Sequence, residues 1–168
     1  MAKPVQSSIS DEVLISLRRL IRAIDLHSRY LSKHFGLTGP QLIILRELSR
    51  VEEMSLGEVA ASVSLSQATV TGITDRLVKR RLITKTRSEI DRRRVVIQPT
   101  DACRKLLSRA PPPIQESFLD QFDQLEEWEQ SMILSSLQRL VRMVDAKDIH
   151  AEPVLISGPI GIIPEKPE

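Results

Sequence analysis

Two clusters of side chains in this chain are equipped to recognise a polyanion. The first is Ser66-Gln67-Ala68-Thr69-Val70-Thr71-Gly72-Ile73-Thr74-Asp75-Arg76-Leu77. Ser66, Gln67, Thr69 and Thr71 both donate and accept hydrogen bonds, as readout of base edges in a major groove requires. The start of a helix there would add backbone N–H groups that attract phosphate. The second cluster is Arg87-Ser88-Glu89-Ile90-Asp91-Arg92-Arg93-Arg94. Arginine is favoured in a narrow minor groove, where negative potential concentrates. Asp91 would be a poor neighbour for phosphate, so it is assigned to bracing an arginine. The candidate contact set is Ser64, Ser66, Gln67, Ala68, Thr69, Thr71, Gly72, Arg76 and Lys79 on the first cluster and its flanks. Arg87, Arg92, Arg93 and Arg94 complete it on the second. Arg80 and Arg81 extend the positive surface.

These clusters need elements to position them. Ser55-Leu56-Gly57-Glu58 has capping-box spacing and opens a short helix with Leu56, Val59, Ala60 and Val63 on one face. Ser64-Leu65-Ser66-Gln67 makes a tight turn into a second helix. There Val70, Ile73 and Leu77 face inward, and Gln67, Thr71, Thr74 and Arg76 stay outside. Helix, short turn, helix is helix-turn-helix spacing. Leu82 to Thr86 and Val95 to Gln98 are β-prone and flank the basic loop as a hairpin, with Pro99 closing the second strand. Gly72 costs about 1 kcal/mol of helix propensity against alanine. Close approach of the backbone to nucleic acid would explain it, and so would tight helix packing.

Around this lobe lie longer helices. Ser10 to Phe35 carries Leu14, Leu17, Ile21, Ile24, Ser28, Leu31 and Phe35 at alternating steps of three and four, the spacing of a helix that packs along another. Gly36 stops it. Thr38-Gly39-Pro40-Gln41 then starts a helix to about Val51. Thr100 caps a further helix, which Pro111-Pro112-Pro113 interrupts. A helix restarts near Ile114 and runs to about Leu125, and a last one carries Trp128, Met132, Leu137, Val141 and Val144. The tail from Ala151 holds four prolines and two glycines beside several isoleucines. It reads either as an unstructured end or as an extended arm.

At 168 residues the chain is one domain, or one domain with an appendage. Arg76 to Arg109 carries twelve Lys/Arg against three Asp/Glu, whereas Glu116 to Glu129 carries six acids and no base. That asymmetry separates a basic face from an acidic one. No apolar run approaches the ~20 residues that cross a bilayer, and no signal-peptide pattern opens the chain. One cysteine excludes an internal disulfide and a cysteine-rich zinc site. A reducing cytoplasm is the expected setting. No phosphate loop or nucleophile elbow points to catalysis, and neither cofactor nor metal is expected.

Leu65 to Thr71, Asp75-Arg76-Leu77 and Asp91-Arg92-Arg93-Arg94-Val95-Val96-Ile97 with Thr100 resemble the MarR family of bacterial regulators, over about residues 12 to 145. Asp91 and Arg93 match the family's Asp-x-Arg wing motif, and Pro99 replaces its leucine. The resemblance implies a mainly α winged helix-turn-helix, with a small β-hairpin wing, that binds a pseudo-palindromic double-stranded DNA operator as a homodimer. Residues 10–36 and 100–146 would dimerise, with Leu14, Leu17, Ile21, Leu137, Val141 and Val144 at the interface. Residues 37–99 would form the DNA-binding lobe, and 147–168 the tail. Arg93 would enter the minor groove. Many such proteins are repressors released by a small ligand bound between the dimer helices and the DNA lobe. His27, Tyr30, Leu31, His34, Leu42, Leu45 and Arg46 are the candidate lining. Asp25-Leu26-His27-Ser28-Arg29 with Leu37-Thr38-Gly39-Pro40-Gln41 also resembles a subgroup found near compatible-solute (ectoine-type) genes.

Two alternatives stay open. A winged-helix module could bind an acidic protein instead of DNA. Cys103, beside Arg104 and Lys105 at a helix start, could be a low-pKa redox thiol or a buried structural one.

Overall fold

A computed structural model describes residues 8–87, 94–148 and 155. Its first helix, α1 (Ile9–Phe35), opens on a capping box between Ser8 and Asp11 and ends at Gly36 with φ 61°. Helix α2 (Gly39–Val51) starts as expected at Thr38, whose N–H is held by Gln41 Oε1 at 3.1 Å. A two-residue strand, β1 (Met54–Ser55), leads into α3 (Leu56–Ser62) and α4 (Gln67–Lys79). Strands β2 (Ile83–Arg87) and β3 (Val95–Pro99) follow, then α5 (Asp101–Leu107), α6 (Ile114–Phe122) and α7 (Glu127–Met143).

The sheet has three strands, not the two of the expected hairpin. The order is β1-β3-β2, all antiparallel, with Met54 opposite Ile97 and Arg87 opposite Val95. Two residues are too few to show an alternating pattern, so β1 exists only through its pairing with β3. Strand β2 starts one residue late, at Ile83, although Leu82 is still buried. Helix α6 stops at Phe122 rather than Leu125. There the Gln130 side chain donates to the carbonyls of Phe122 and Leu125, at 3.2 and 3.0 Å.

The core lies inside the lobe. Leu42, Leu45 and Leu48 of α2, Val59 of α3, Val70, Ile73 and Leu77 of α4, and Ile97 of β3 have no exposed surface. The outer helices differ. The only buried residue of α1 is Leu31, and α6 and α7 have none. Leu14 and Ile21 are 49% and 66% exposed, and Leu137, Val141 and Val144 between 42% and 70%. Among the described residues, nothing covers the apolar faces of these helices. Among the described residues, no helix is long and apolar enough to cross a membrane. Apart from the Leu155 N–H, 3.4 Å from Gln115 Oε1, the tail beyond Asp148 lies outside the described residues.

Arg81 follows α4 in the left-handed region, at φ 58°. Its N–H bonds Val78 O, and the next N–H bonds Leu77 O, a turn that glycine makes without strain. Arg81→Gly should raise stability by about 0.5–1 kcal/mol, the left-handed penalty less glycine's extra chain entropy. Urea unfolding checks this. A loss of stability would mean the arginine side chain contributes more than its backbone costs.

Candidate nucleic-acid interface

Helix α4 is pinned from beneath. Its apolar residues at steps of three and four are fully buried, so its opposite face must point out. Ser66 caps it, with Oγ accepting from the Thr69 N–H at 3.1 Å. Ser64, at φ 54°, turns the chain between α3 and α4. Ser64, Ser66, Gln67, Ala68, Arg76 and Lys79 are exposed; Thr69, Thr71 and Gly72 are half-buried. The Thr71 hydroxyl donates to Gln67 O at 2.8 Å, which leaves its lone pairs facing outward as acceptors. Thr74 corrects the expected outer face. It is fully buried, and its hydroxyl is satisfied by Thr71 O at 3.0 Å. A threonine with an internal partner can replace an apolar residue in a helix seam.

Gly72 also resolves one way. A Cβ built there meets nothing within 4 Å. Packing among the described residues therefore does not require the glycine.

Ion pairs fasten the base of the basic hairpin to the helices. Lys85 of β2 reaches Asp75 of α4 at 2.6 Å, and Arg94 reaches Glu58 of α3 at 3.0 Å. Hydrogen bonds from the Ser55 N–H and side chain hold the Glu58 carboxyl below its ordinary pKa, and Arg94 adds to this. Arg94 thus has a carboxylate partner besides any phosphate. Arg87 is exposed at the end of β2. Asp91, Arg92 and Arg93 lie outside the described residues.

Arg80 is exposed, as expected, but has partners the sequence did not indicate. Its guanidinium donates to Gly36 O and, at 2.9 Å, to Phe35 O. The charge read as open surface is committed to the end of α1.

The proposed effector residues differ in exposure. Leu31, Leu42 and Leu45 are core residues without exposed surface. Tyr30 is 47% exposed and stacks on His34 at 4.5 Å. Burial lowers the pKa of His27, and its Nε2 is buried without a partner. Only Arg46 of the set lines a groove of about 430 Å³ between α2, the α3–α4 turn and α6. In it Arg46 and Arg50 both face Glu116, at 3.4 and 2.7 Å. Sequence spacing gave no sign of this groove, because Glu116 lies 66 residues from Arg50. Cys103 is fully buried beside the Ser49 hydroxyl, and burial pushes its thiol pKa up. Desolvation outweighs the Ser49 hydrogen bond and the nearby Arg104, the opposite of what a low-pKa thiol needs.

The MarR family profile matches residues 37–95, the stretch from Leu37 to the first residue of β3. The uncharacterised HTH-type transcriptional regulator YpoP of Bacillus subtilis is 31% identical over 104 residues, which cover 62% of this chain and 74% of YpoP. The chain belongs to the MarR family. A second relative by sequence, the uncharacterised HTH-type transcriptional regulator YsmB of the same organism, is 26% identical over 125 residues, 74% of this chain and 86% of YsmB. In fold, the chain is similar to Staphylococcus aureus MepR in its solved DNA complex. The TM-score is 0.54 at 18% identity, over 82% of this chain and 96% of MepR. The MarR profile thus falls on the lobe whose helix α4 presents the polar face.

Gly72→Ala should stabilise the protein by about 1 kcal/mol in urea unfolding, since only helix propensity changes. If the α4 backbone approaches a base edge, the same variant should lose about tenfold in DNA affinity, the size of one base contact. Unchanged affinity would remove Gly72 from the interface. Cys103 should resist Ellman's reagent at mildly alkaline pH until the protein unfolds; stoichiometric reaction of the native protein would restore thiol sensing.

Proposed function

We propose that this protein is a sequence-specific DNA-binding regulator of transcription that acts as a homodimer. The observation that carries this reading is the outward polar face of α4 on a helix whose inner face is wholly buried. Ser66, Gln67, Thr69 and Thr71 would read the major groove. Arg76, Lys79 and Arg87 would meet phosphates. Arg93 would enter the adjacent minor groove, with Asp91 bracing the wing and Arg92 and Arg94 beside it.

The dimer would form through α1 and α5 to α7. Supporting this, Leu14, Ile21, Leu137, Val141 and Val144 expose apolar surface that the described residues leave uncovered. Two lobes would then face a pseudo-palindromic operator. The regulatory mode would be repression, released by a small ligand. The groove beside Arg46 and Arg50 is the better candidate for that ligand than the histidine face of α1. It touches both the helix-turn-helix turn and α6, so an occupant would bear on both. Compatible solutes are the first class to screen. The protein would work in the cytoplasm, without cofactor or catalytic role.

The test is fluorescence anisotropy over a salt series. Contact with six or more phosphates predicts a loss of ~10³ or more in affinity between roughly 50 and 200 mM salt. Arg93→Ala should bind several-fold more weakly with the dimer intact. No binding to DNA even at low salt, with capture of an acidic protein, would favour the protein-interaction reading instead.

A further inference from the structure

We infer that Arg80 is a positioning residue that locks the angle between α1 and α4, and through it sets the half-site spacing the dimer accepts. The inference rests on the DNA-binding reading for its consequence, but not for the lock itself.

Two helix ends meet at this residue. Arg80 is the C-cap of α4, where its N–H bonds Arg76 O. Helix α1 ends 44 residues away in sequence at Gly36, whose left-handed turn leaves the last carbonyls of α1 pointing outward. Helix C-termini carry unsatisfied carbonyls and a partial negative charge. The Arg80 fork meets both: Nη1 donates to Gly36 O and Nη2 to Phe35 O. Two parallel bonds from a planar group fix a direction, which a single ammonium contact does not. The guanidinium is partly desolvated there, and this lowers its pKa. Gly36 completes the fit, because a Cβ would stand only 3.2 Å from Nη2.

Apolar contact between α1 and the lobe is concentrated at the same end: Leu31 is the one fully buried residue of the helix, Phe35 packs against the core and Leu37 just beyond is buried, while Leu14, Leu20 and Ile21 toward its start are exposed. At 27 residues α1 is about 40 Å long. A rotation of about 10° at its C-terminal end moves the other end by roughly 7 Å, about two base-pair steps of 3.4 Å. If the dimer is held along α1, the angle between α1 and α4 becomes the separation of the two α4 helices, and half-site spacing follows from that separation. An arginine that served only as a helix cap would stabilise both ends and leave spacing selectivity unchanged.

The lock is tested first without DNA. Spin labels are attached through Arg19→Cys on α1 and Ala61→Cys on α3, in a Cys103→Ser background of the full chain diluted with unlabelled protein. Pulsed electron–electron resonance should give a narrow distance distribution with Arg80 present. Arg80→Ala should broaden it at least about twofold, and Arg80→Lys, with one compact donor in place of a fork, should fall between. The lysine variant keeps the test open should the alanine variant unfold. Unchanged width in either folded variant would overturn the lock.

The second arm measures affinity for operators whose half-site spacer is altered by one base pair either way. Arg80→Ala should lose about tenfold on the preferred spacing and less than about twofold on the others, so that selectivity flattens. A uniform loss across the series, with a salt slope reduced by about one, would make Arg80 a phosphate contact and overturn the spacing role. Failure of the unsubstituted protein to bind any operator would sink the DNA-binding reading and the spacing role alone, and the spin-label widths would still decide the lock.

Discussion

Burial of one face of α4 is the constraint on which the rest of this structure depends. Val70, Ile73 and Leu77 are closed against the apolar residues of α2, α3 and β3. Each fully buried side chain of this size contributes about 1.5–3 kcal/mol of hydrophobic stabilisation. That burial fixes the rotation of α4 about its axis. The outward direction of Gln67, Ala68 and Thr71 is therefore set by what lies beneath them. A helix presented this way needs no backbone ordering when a ligand arrives, which lowers the cost of binding.

Polar contacts add to the apolar packing of Ile83, Ile97 and Leu31 that holds the wing strands and α1 to the lobe. Lys85–Asp75 and Arg94–Glu58 are exposed ion pairs, which contribute little to stability individually. Their value lies in register, since they hold the two wing strands to α4 and α3. Arg80 does the same for α1.

Much of this was legible in the residues. Steps of three and four in Leu14 to Phe35, capping boxes at Thr38 and Ser55, and the β-prone runs around the basic loop each carry a local physical signal, and the corresponding elements are present. What stayed hidden was long-range or locally ambiguous. Strand β1 is two residues that pair with β3 more than forty positions away. Thr74 looks polar in sequence, yet an internal bond to Thr71 O lets it enter the core. Arg80 sits in a run of basic residues that reads as surface, and its partners lie on a helix end distant in sequence. The histidine face of α1 suggested a pocket through spacing alone, whereas the groove beside Arg46 arises from packing of α6. The expected contacts at Asp91, Arg92 and Arg93 rest on the wing motif and on the charge of that loop.

The central claim is that this surface distinguishes one DNA sequence from another. The most direct measurement compares binding to the duplex upstream of the protein's own coding sequence with binding to a scrambled duplex of equal length, by fluorescence anisotropy at one salt concentration. The account predicts tight preference for the native duplex, by roughly 10³-fold or more, as specific readers show over non-specific DNA. Equal affinity for both duplexes across the regulated promoters, or binding to neither at low salt, would contradict it.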